Sequence, residues 1–166
     1  MSRYVAVDPV VCTGCRECEV VCSLTHLGEC RPGGSAVRVA RRERDGLVDS
    51  LPRVCQQCEQ AYCVEACPTE ALARRDGGGP VFVDSGLCSG CGECTTVCPA
   101  ACIFLDDGRQ IAVCCDLCGG SPECVEFCHS KCLTVADTES PGARGRLERL
   151  TAAGETLGRA GERGGR

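Results

Sequence analysis

Cys88-Ser89-Gly90-Cys91-Gly92-Glu93-Cys94-Thr95-Thr96-Val97-Cys98-Pro99 decides how this chain is read. Two residues separate each of its first three cysteines, three more separate the fourth, and a proline closes the run. The pattern recurs. Cys12, Cys15, Cys18 and Cys22 keep the spacing without the proline. Cys55, Cys58, Cys63 and Cys67 widen the second gap and are followed by Pro68. Cys115, Cys118, Cys124 and Cys128 widen it further. These four groups take sixteen of the twenty cysteines in 166 residues.

The physical reason for such spacing is reach. Three closely spaced thiolates wrap one face of a cubane in a tight loop, and Gly14 and Gly90 lie where that loop must bend. The first and third groups have the C-x2-C-x2-C-x3-C spacing of bacterial ferredoxins. The fourth cysteine points away and ligates the neighbouring cluster, as in two-cluster proteins of that kind. Two other readings compete. A disulfide framework needs an oxidising compartment, whereas the start, Met-Ser-Arg-Tyr-Val-Ala-Val-Asp, has no secretory apolar region and no twin arginine. Structural zinc takes two well-separated cysteine pairs, a poor match to triplets closed by x3-Cys-Pro.

Composition narrows the function. Aromatic residues make up 3%, with no tryptophan and only Phe82, Phe104, Phe127, Tyr4 and Tyr62. That is thin for a conventional core, so clusters are expected to take the place of part of it. Formal charge is −5, and each oxidised cubane on four thiolates adds about −2. An acidic protein of this kind is no nucleic-acid binder. Arg38, Arg41, Arg42 and Arg44 form a basic run, read as the solvated side of a hairpin in preference to a docking patch for an acidic partner. No apolar stretch is long enough to span a bilayer, and a cytoplasmic setting is expected. Neither a Rossmann nor a P-loop glycine fingerprint is present, so the chain is expected to have no catalytic residue of its own.

The chain repeats itself. Val5-Ala6-Val7-Asp8 precedes Cys12 as Val81-Phe82-Val83-Asp84 precedes Cys88, each reading as a short strand entering a ligand loop. After three of the groups a small residue and then an aliphatic one begin a strand: Ala71-Leu72, Cys102-Ile103 and Cys132-Leu133. Turn signals predict three hairpins. Arg44-Asp45-Gly46 joins Val37-Arg38-Val39 to Leu47-Val48. Arg75-Asp76-Gly77-Gly78-Gly79 joins Ala71-Leu72-Ala73 to Val81-Phe82-Val83. Asp106-Asp107-Gly108 joins Ile103-Phe104-Leu105 to Ile111-Ala112-Val113. The unit is strand, ligand loop, short helical turn, strand. Residues 137–166 hold no cysteine; Leu147, Leu150, Ala153 and Leu157 have near-helical spacing, which reads either as a helix for docking or self-association or as a disordered tail.

Taken together, the four groups resemble the four-cluster ferredoxin-like electron-transfer subunits found beside dimethyl-sulfoxide-reductase-type molybdenum enzymes, formate dehydrogenases, hydrogenases and carbon monoxide dehydrogenases. The resemblance covers about residues 4–135. Cys115-Asp116-Leu117-Cys118 with Pro122-Glu123-Cys124-Val125-Glu126-Phe127-Cys128, and Cys22-Ser23-Leu24-Thr25-His26-Leu27-Gly28, look most like the small ferredoxin subunits of tungsten aldehyde oxidoreductases. It implies an α+β fold of two nested bacterial-ferredoxin-like modules, with short hairpins and helical turns around four [4Fe-4S] clusters. Residues 1–35 and 111–136 would form the outer module, residues 36–110 an inserted hairpin and the inner module. It also implies the ligand sets. Cys12, Cys15 and Cys18 share a cluster with Cys128; Cys115, Cys118 and Cys124 with Cys22; Cys55, Cys58 and Cys63 with Cys98; and Cys88, Cys91 and Cys94 with Cys67. The implied role is electron relay between a large catalytic subunit of tungsten or molybdenum type, aldehyde oxidation being the leading case, and a redox partner such as a flavin/NAD subunit. A free soluble polyferredoxin, a hydrogenase or carbon monoxide dehydrogenase subunit, and a structural zinc or cluster-carrier protein are the alternatives.

Some residues depart from the pattern. His129, not proline, follows Cys128; it reads as an exposed turn residue in preference to a donor to a cluster sulfur, which would raise the potential. His26 reads as packed or capping. Cys102 and Cys132 stand where the repeat has Ala71 and are expected to be small buried side chains. Cys114 competes with Cys115 as a ligand, and Cys115 keeps the C-x-x-C step. Cys30 has no assigned role. Because cluster binding and folding are coupled, iron chelation is expected to abolish most of the native far-ultraviolet circular dichroism; a retained spectrum would show a self-sufficient core.

Overall fold

The structure, a computed structural model, describes residues 3–75, 78–140, 143, 145 and 148–152. Among these, the strands are β1 (Arg3–Val7), β2 (Val37–Arg44), β3 (Leu47–Val54), β4 (Leu72–Arg74), β5 (Val81–Val83), β6 (Phe104–Asp106), β7 (Ile111–Val113) and β8 (Leu133–Asp137). The helices are α1 (Glu17–Leu27), α2 (Tyr62–Glu65), α3 (Glu93–Val97) and α4 (Glu123–Glu126). Each helix holds the third cysteine of one group: Cys18, Cys63, Cys94 and Cys124. This is a small ferredoxin-like α+β chain, with strands paired two by two and antiparallel throughout.

The three hairpins read from the turn residues are present. β2 pairs with β3 from Val37↔Val54 to Arg44↔Leu47, β4 with β5 from Leu72↔Val83, and β6 with β7 from Phe104↔Val113. Asp76 and Gly77 of the middle turn lie outside the described residues. The remaining pair joins the two ends of the cysteine-bearing region: β1 runs against β8 from Arg3↔Asp137 to Val7↔Leu133. Val5 and Leu133, on these two strands, are fully buried.

One turn is used three times. Glu70, Ala101 and Lys131 each take a left-handed backbone, with φ of 55°, 47° and 55°. Each sends its N–H back to the carbonyl of the cysteine three residues earlier, Cys67, Cys98 or Cys128, at 3.3, 3.1 and 3.1 Å. None of the three is glycine, so each turn stores strain of about 1 kcal/mol. Each turn leads directly into Ala71, Cys102 or Cys132, all buried, and then into β4, β6 or β8. Burial of Cys102 and Cys132 follows the sequence expectation.

The first group departs from the expected short helical turn. Ser23 rather than proline follows Cys22, and α1 continues for eleven residues. Gly28, at φ 71°, ends it by returning its N–H to the Leu24 carbonyl at 2.9 Å. The Ser23 hydroxyl donates to the Val20 carbonyl at 2.8 Å and accepts the Arg31 N–H at 3.1 Å, fixing the exit of the chain. In the arginine run, Arg41 is exposed as expected of a solvated face. Arg38 instead stacks over Phe104, 4.7 Å from the ring centre.

Apolar residues gather in two places. Val5, Ala36, Val37, Val39, Val54, Leu117 and Leu133 pack with cysteines of the first, second and fourth groups. Leu72, Val81, Ile103 and Ala112 pack around Cys94. Residues 148–152 are helical, and the Thr151 hydroxyl donates to the Pro99 carbonyl at 3.1 Å; Leu147, Ala153 and Leu157 lie outside the described residues. No helix of the described residues is long and apolar enough to cross a membrane.

An ion pair between half-buried Arg31 and a buried carboxylate fastens the segment after α1 to the β6–β7 hairpin. Arg31 grips the fully buried Asp106 through both nitrogens, at 2.6 and 2.9 Å. Asp106 also accepts Arg109 Nε at 2.8 Å and the Gly108 N–H at 2.9 Å. The Arg31 hydrogen bond, first, with Arg109 and backbone N–H groups, holds the Asp106 carboxyl well below the usual carboxylate range against burial. A carboxylate with a depressed folded pKa stabilises the fold above its unfolded pKa, about 3.9. That contribution is lost as pH falls from there through the folded pKa. Asp106→Asn is expected to cost about 3 kcal/mol at pH 7 and to flatten the acid limb of stability below about pH 4, measured by thermal unfolding of loaded chains across pH.

Candidate metal centres

Two cavities are walled by sulfur. One is lined by Cys12, Cys15, Cys18, Cys128 and Cys132, with Val39 and Pro52 of the β2–β3 hairpin across it. The other is lined by Cys55, Cys58, Cys63, Cys98 and Cys102, with Val81 and Ile103. In each, three cysteines come from one group and the fourth from a group far off in sequence, because the helix holding the third cysteine abuts the turn of the distant group.

In the remaining groups, neighbouring cysteines oppose one another's ionisation. Burial, then the neighbouring Cys88, Cys67 and Cys91, push the Cys94 thiol up to about 11. Burial, then Cys22 and Cys118, push Cys124 up to about 12. Cys115 is raised by burial, then by Cys55, with Cys124 and Cys22 adding to it, and Cys118 by burial, with Asp116 and Cys22 adding to it. The structure thus gathers Cys88, Cys91, Cys94 and Cys67 in one place and Cys115, Cys118, Cys124 and Cys22 in another. Cys114 lies in hydrogen-bonding contact with Cys55 and packs against both apolar groups. Cys30 is exposed.

The donor sets suit a cationic polynuclear centre. Burial, then nearby negative charge, pushes Cys18 and Cys63 up to about 12. Four such thiols cannot ionise together in a closed space without positive charge between them. Backbone N–H groups already face several of the sulfurs: Ala36 to Cys22 at 3.3 Å, Cys102 to Cys98 at 3.3 Å and Ala112 to Cys88 at 3.4 Å. These are the contacts that stabilise thiolate charge. Cys15 and Cys91 are exposed, whereas Cys18, Cys22, Cys55, Cys94, Cys115, Cys124 and Cys128 are buried.

Several supporting residues gave no sequence signal. Gln57, 2% exposed, donates to the Cys115 carbonyl at 2.7 Å and accepts the Val81 N–H at 2.9 Å, joining the second group to the fourth and to β5. Buried Glu19 accepts the Val39 N–H at 2.5 Å, holding the β2–β3 hairpin over the first cavity. His26 places Nε2 3.5 Å from Cys118 Sγ and 3.6 Å from Asp116. His129 stays exposed, with Nδ1 3.2 Å from Glu17 and 3.9 Å from Cys15 Sγ.

Comparison with known proteins gives the class. The 4Fe-4S dicluster domain family matches residues 47–138, which take in the second, third and fourth groups. The chain belongs to this 4Fe-4S dicluster family. It is 42% identical over 96 residues to the polyferredoxin-like subunit of aliphatic sulfonate oxidoreductase from Pyrococcus furiosus, covering 58% of this chain and 54% of that one. It is 34% identical over 113 residues to formate hydrogenlyase subunit 2 of Escherichia coli K12, covering 68% and 53%. The chain therefore spans about half the length of the curated relatives it matches. The active-site complex BamBC of benzoyl coenzyme A reductase aligns with a TM-score of 0.47 at 25% identity, over 95% of this chain and 92% of that one.

The ligand loops depend on their glycines. Gly14 and Gly90 both have φ of 70°, and a Cβ at Gly90 would strike the Gln110 carbonyl. Gly90→Ala is expected to lower iron and acid-labile sulfide by up to about four each per chain while the other sites fill; a full count in the variant would show that the loop can relax.

Proposed function

We propose that this chain is the electron-transfer subunit of an oxidoreductase complex, holding four [4Fe-4S] clusters on the four cysteine sets. The observation that carries the reading is the gathering of cysteines distant in sequence into four places, two of them sulfur-walled cavities. The family supports iron–sulfur binding. The first set would be Cys12, Cys15, Cys18 and Cys128, and the second Cys55, Cys58, Cys63 and Cys98. The third would be Cys88, Cys91, Cys94 and Cys67, and the fourth Cys115, Cys118, Cys124 and Cys22. In this reading residues 36–110 form an inner module inserted into an outer one made of 1–35 and 111–136. Pairing of β1 with β8 supports the nesting.

When bound, a cubane supplies one-electron transfer with little reorganisation. The chain's own residues set where and how that happens. Buried Cys18 neighbours Cys124, Cys115 neighbours Cys55, and α2 packs on α3. These contacts support an order of first, fourth, second and third sets. Exposed Cys15 at one end and exposed Cys91 at the other are the natural points of entry and exit. Val39, Pro52, Val81 and Ile103 line the cavities and keep water from the sulfurs. Backbone N–H groups on Cys22, Cys88 and Cys98 stabilise added negative charge.

A large catalytic subunit is the partner at one end. The relatives are named as subunits of an oxidoreductase and a hydrogenlyase, which supports this assignment. We favour a tungsten- or molybdenum-type catalytic subunit, aldehyde-oxidising in the leading case, in a cytoplasmic setting, with a flavin/NAD subunit as the acceptor. Anaerobic purification with any co-eluting protein should yield about sixteen iron and sixteen sulfide per chain, together with a large redox subunit. About half that iron would leave one module without clusters. Zinc instead of iron would overturn electron transfer, and a chain that purifies alone with full iron would make it a free polyferredoxin.

A further inference from the structure

Cys132 belongs to none of the four ligand sets, yet it is the fifth sulfur in the wall of the first cavity. It is 4% exposed, and its Sγ lies 3.5 Å from Cys128 Sγ. The left-handed turn at Lys131 puts it there.

The same turn elsewhere in the chain supplies the comparison. Around Cys67 the turn and the neighbouring hydroxyl match those around Cys128. Thr69 Oγ1 stands 3.7 Å from Cys67 Sγ, and Ser130 Oγ stands 3.6 Å from Cys128 Sγ. Glu70 and Lys131 make the same turn. Then the two sites part, with Ala71 at one and Cys132 at the other. Around Cys98 the equivalent residue is Cys102, whose thiol donates to the Ala100 carbonyl at 3.1 Å and also lies in hydrogen-bonding contact with Cys98. Of the three turns, the one after Cys67 lacks a thiol at this position.

A coordinated Cys128 has no proton to give, so the hydrogen between these two sulfurs must come from Cys132. A donor aimed at a ligand sulfur stabilises the reduced, more negative state over the oxidised one. We propose that the Cys132 thiol donates a hydrogen bond to the Cys128 thiolate and thereby makes the first site easier to reduce than the site whose fourth ligand is Cys67. The inference rests on the four-set reading above. Its consequence is directional: the end of the row bearing exposed Cys15 is the electron-accepting end relative to the end bearing Cys91.

Cys132→Ala places at 132 the residue that the fold already accommodates at 71. The reciprocal Ala71→Cys adds the donor where it is missing. Both full-length chains would be loaded anaerobically, counted for iron and sulfide, and titrated by electron paramagnetic resonance against solution potential. Cys132→Ala is expected to keep the iron count of the unaltered chain. One component should move to more negative potential, by about a tenfold change in the reduced-to-oxidised ratio, roughly 59 mV for one electron. Ala71→Cys should move a different component upward, and Cys132→Ser, which keeps a donor, should recover part of the loss. An unchanged titration at full iron in Cys132→Ala would overturn the donor role and leave the four-set reading standing. Loss of about four iron would overturn it by making Cys132 a ligand. An unaltered chain short of iron would instead sink the four-set reading beneath it.

Discussion

Buried thiolates repel one another, and this chain collects them by design. Sulfur lines two of its cavities and accounts for half of its larger apolar cluster. So many thiols in a closed space cannot ionise together unless cations lie between them. The aliphatic residues that remain are small and few, and no tryptophan is present. The helices are correspondingly short: three of the four span four or five residues, far below the length at which a helix holds itself in water. Each exists to aim one cysteine and to hand the chain on to a turn.

The local units were legible because the cysteine spacing and the turn residues are local signals. Gly46 and Gly108 mark their hairpins, and Val5-Ala6-Val7 and Leu133 give the strands their buried positions. The length of α1 was not legible. The repeat predicts a short turn there, and nothing in Ser23-Leu24-Thr25 announces that the helix continues to Gly28. The ion pair of Arg31 with Asp106 was also invisible, since the two residues are seventy-five apart in sequence and each looks like an ordinary surface charge. The same holds for Gln57 and Glu19. A buried polar residue is recognised by what it bonds, and those partners come from distant elements.

The candidate site divides the same way. Spacing alone names sixteen candidate cysteines, whereas the contacts around them come from distant elements. His26 reads as a packing residue in the sequence and faces Cys118 in the structure. Cys102 and Cys132 read as small buried residues, and the sequence does not show that each thiol lies against the cysteine four residues before it, Cys98 or Cys128.

The pairing of β1 with β8 has a consequence for biosynthesis. β1 finds its partner only after the whole of the cysteine-bearing region has been made. A chain emerging from the ribosome therefore carries β1 with an open strand edge until β8 follows it. The partners of each hairpin between them, by contrast, emerge within a few residues of one another. The outer pair is thus the last that synthesis can close.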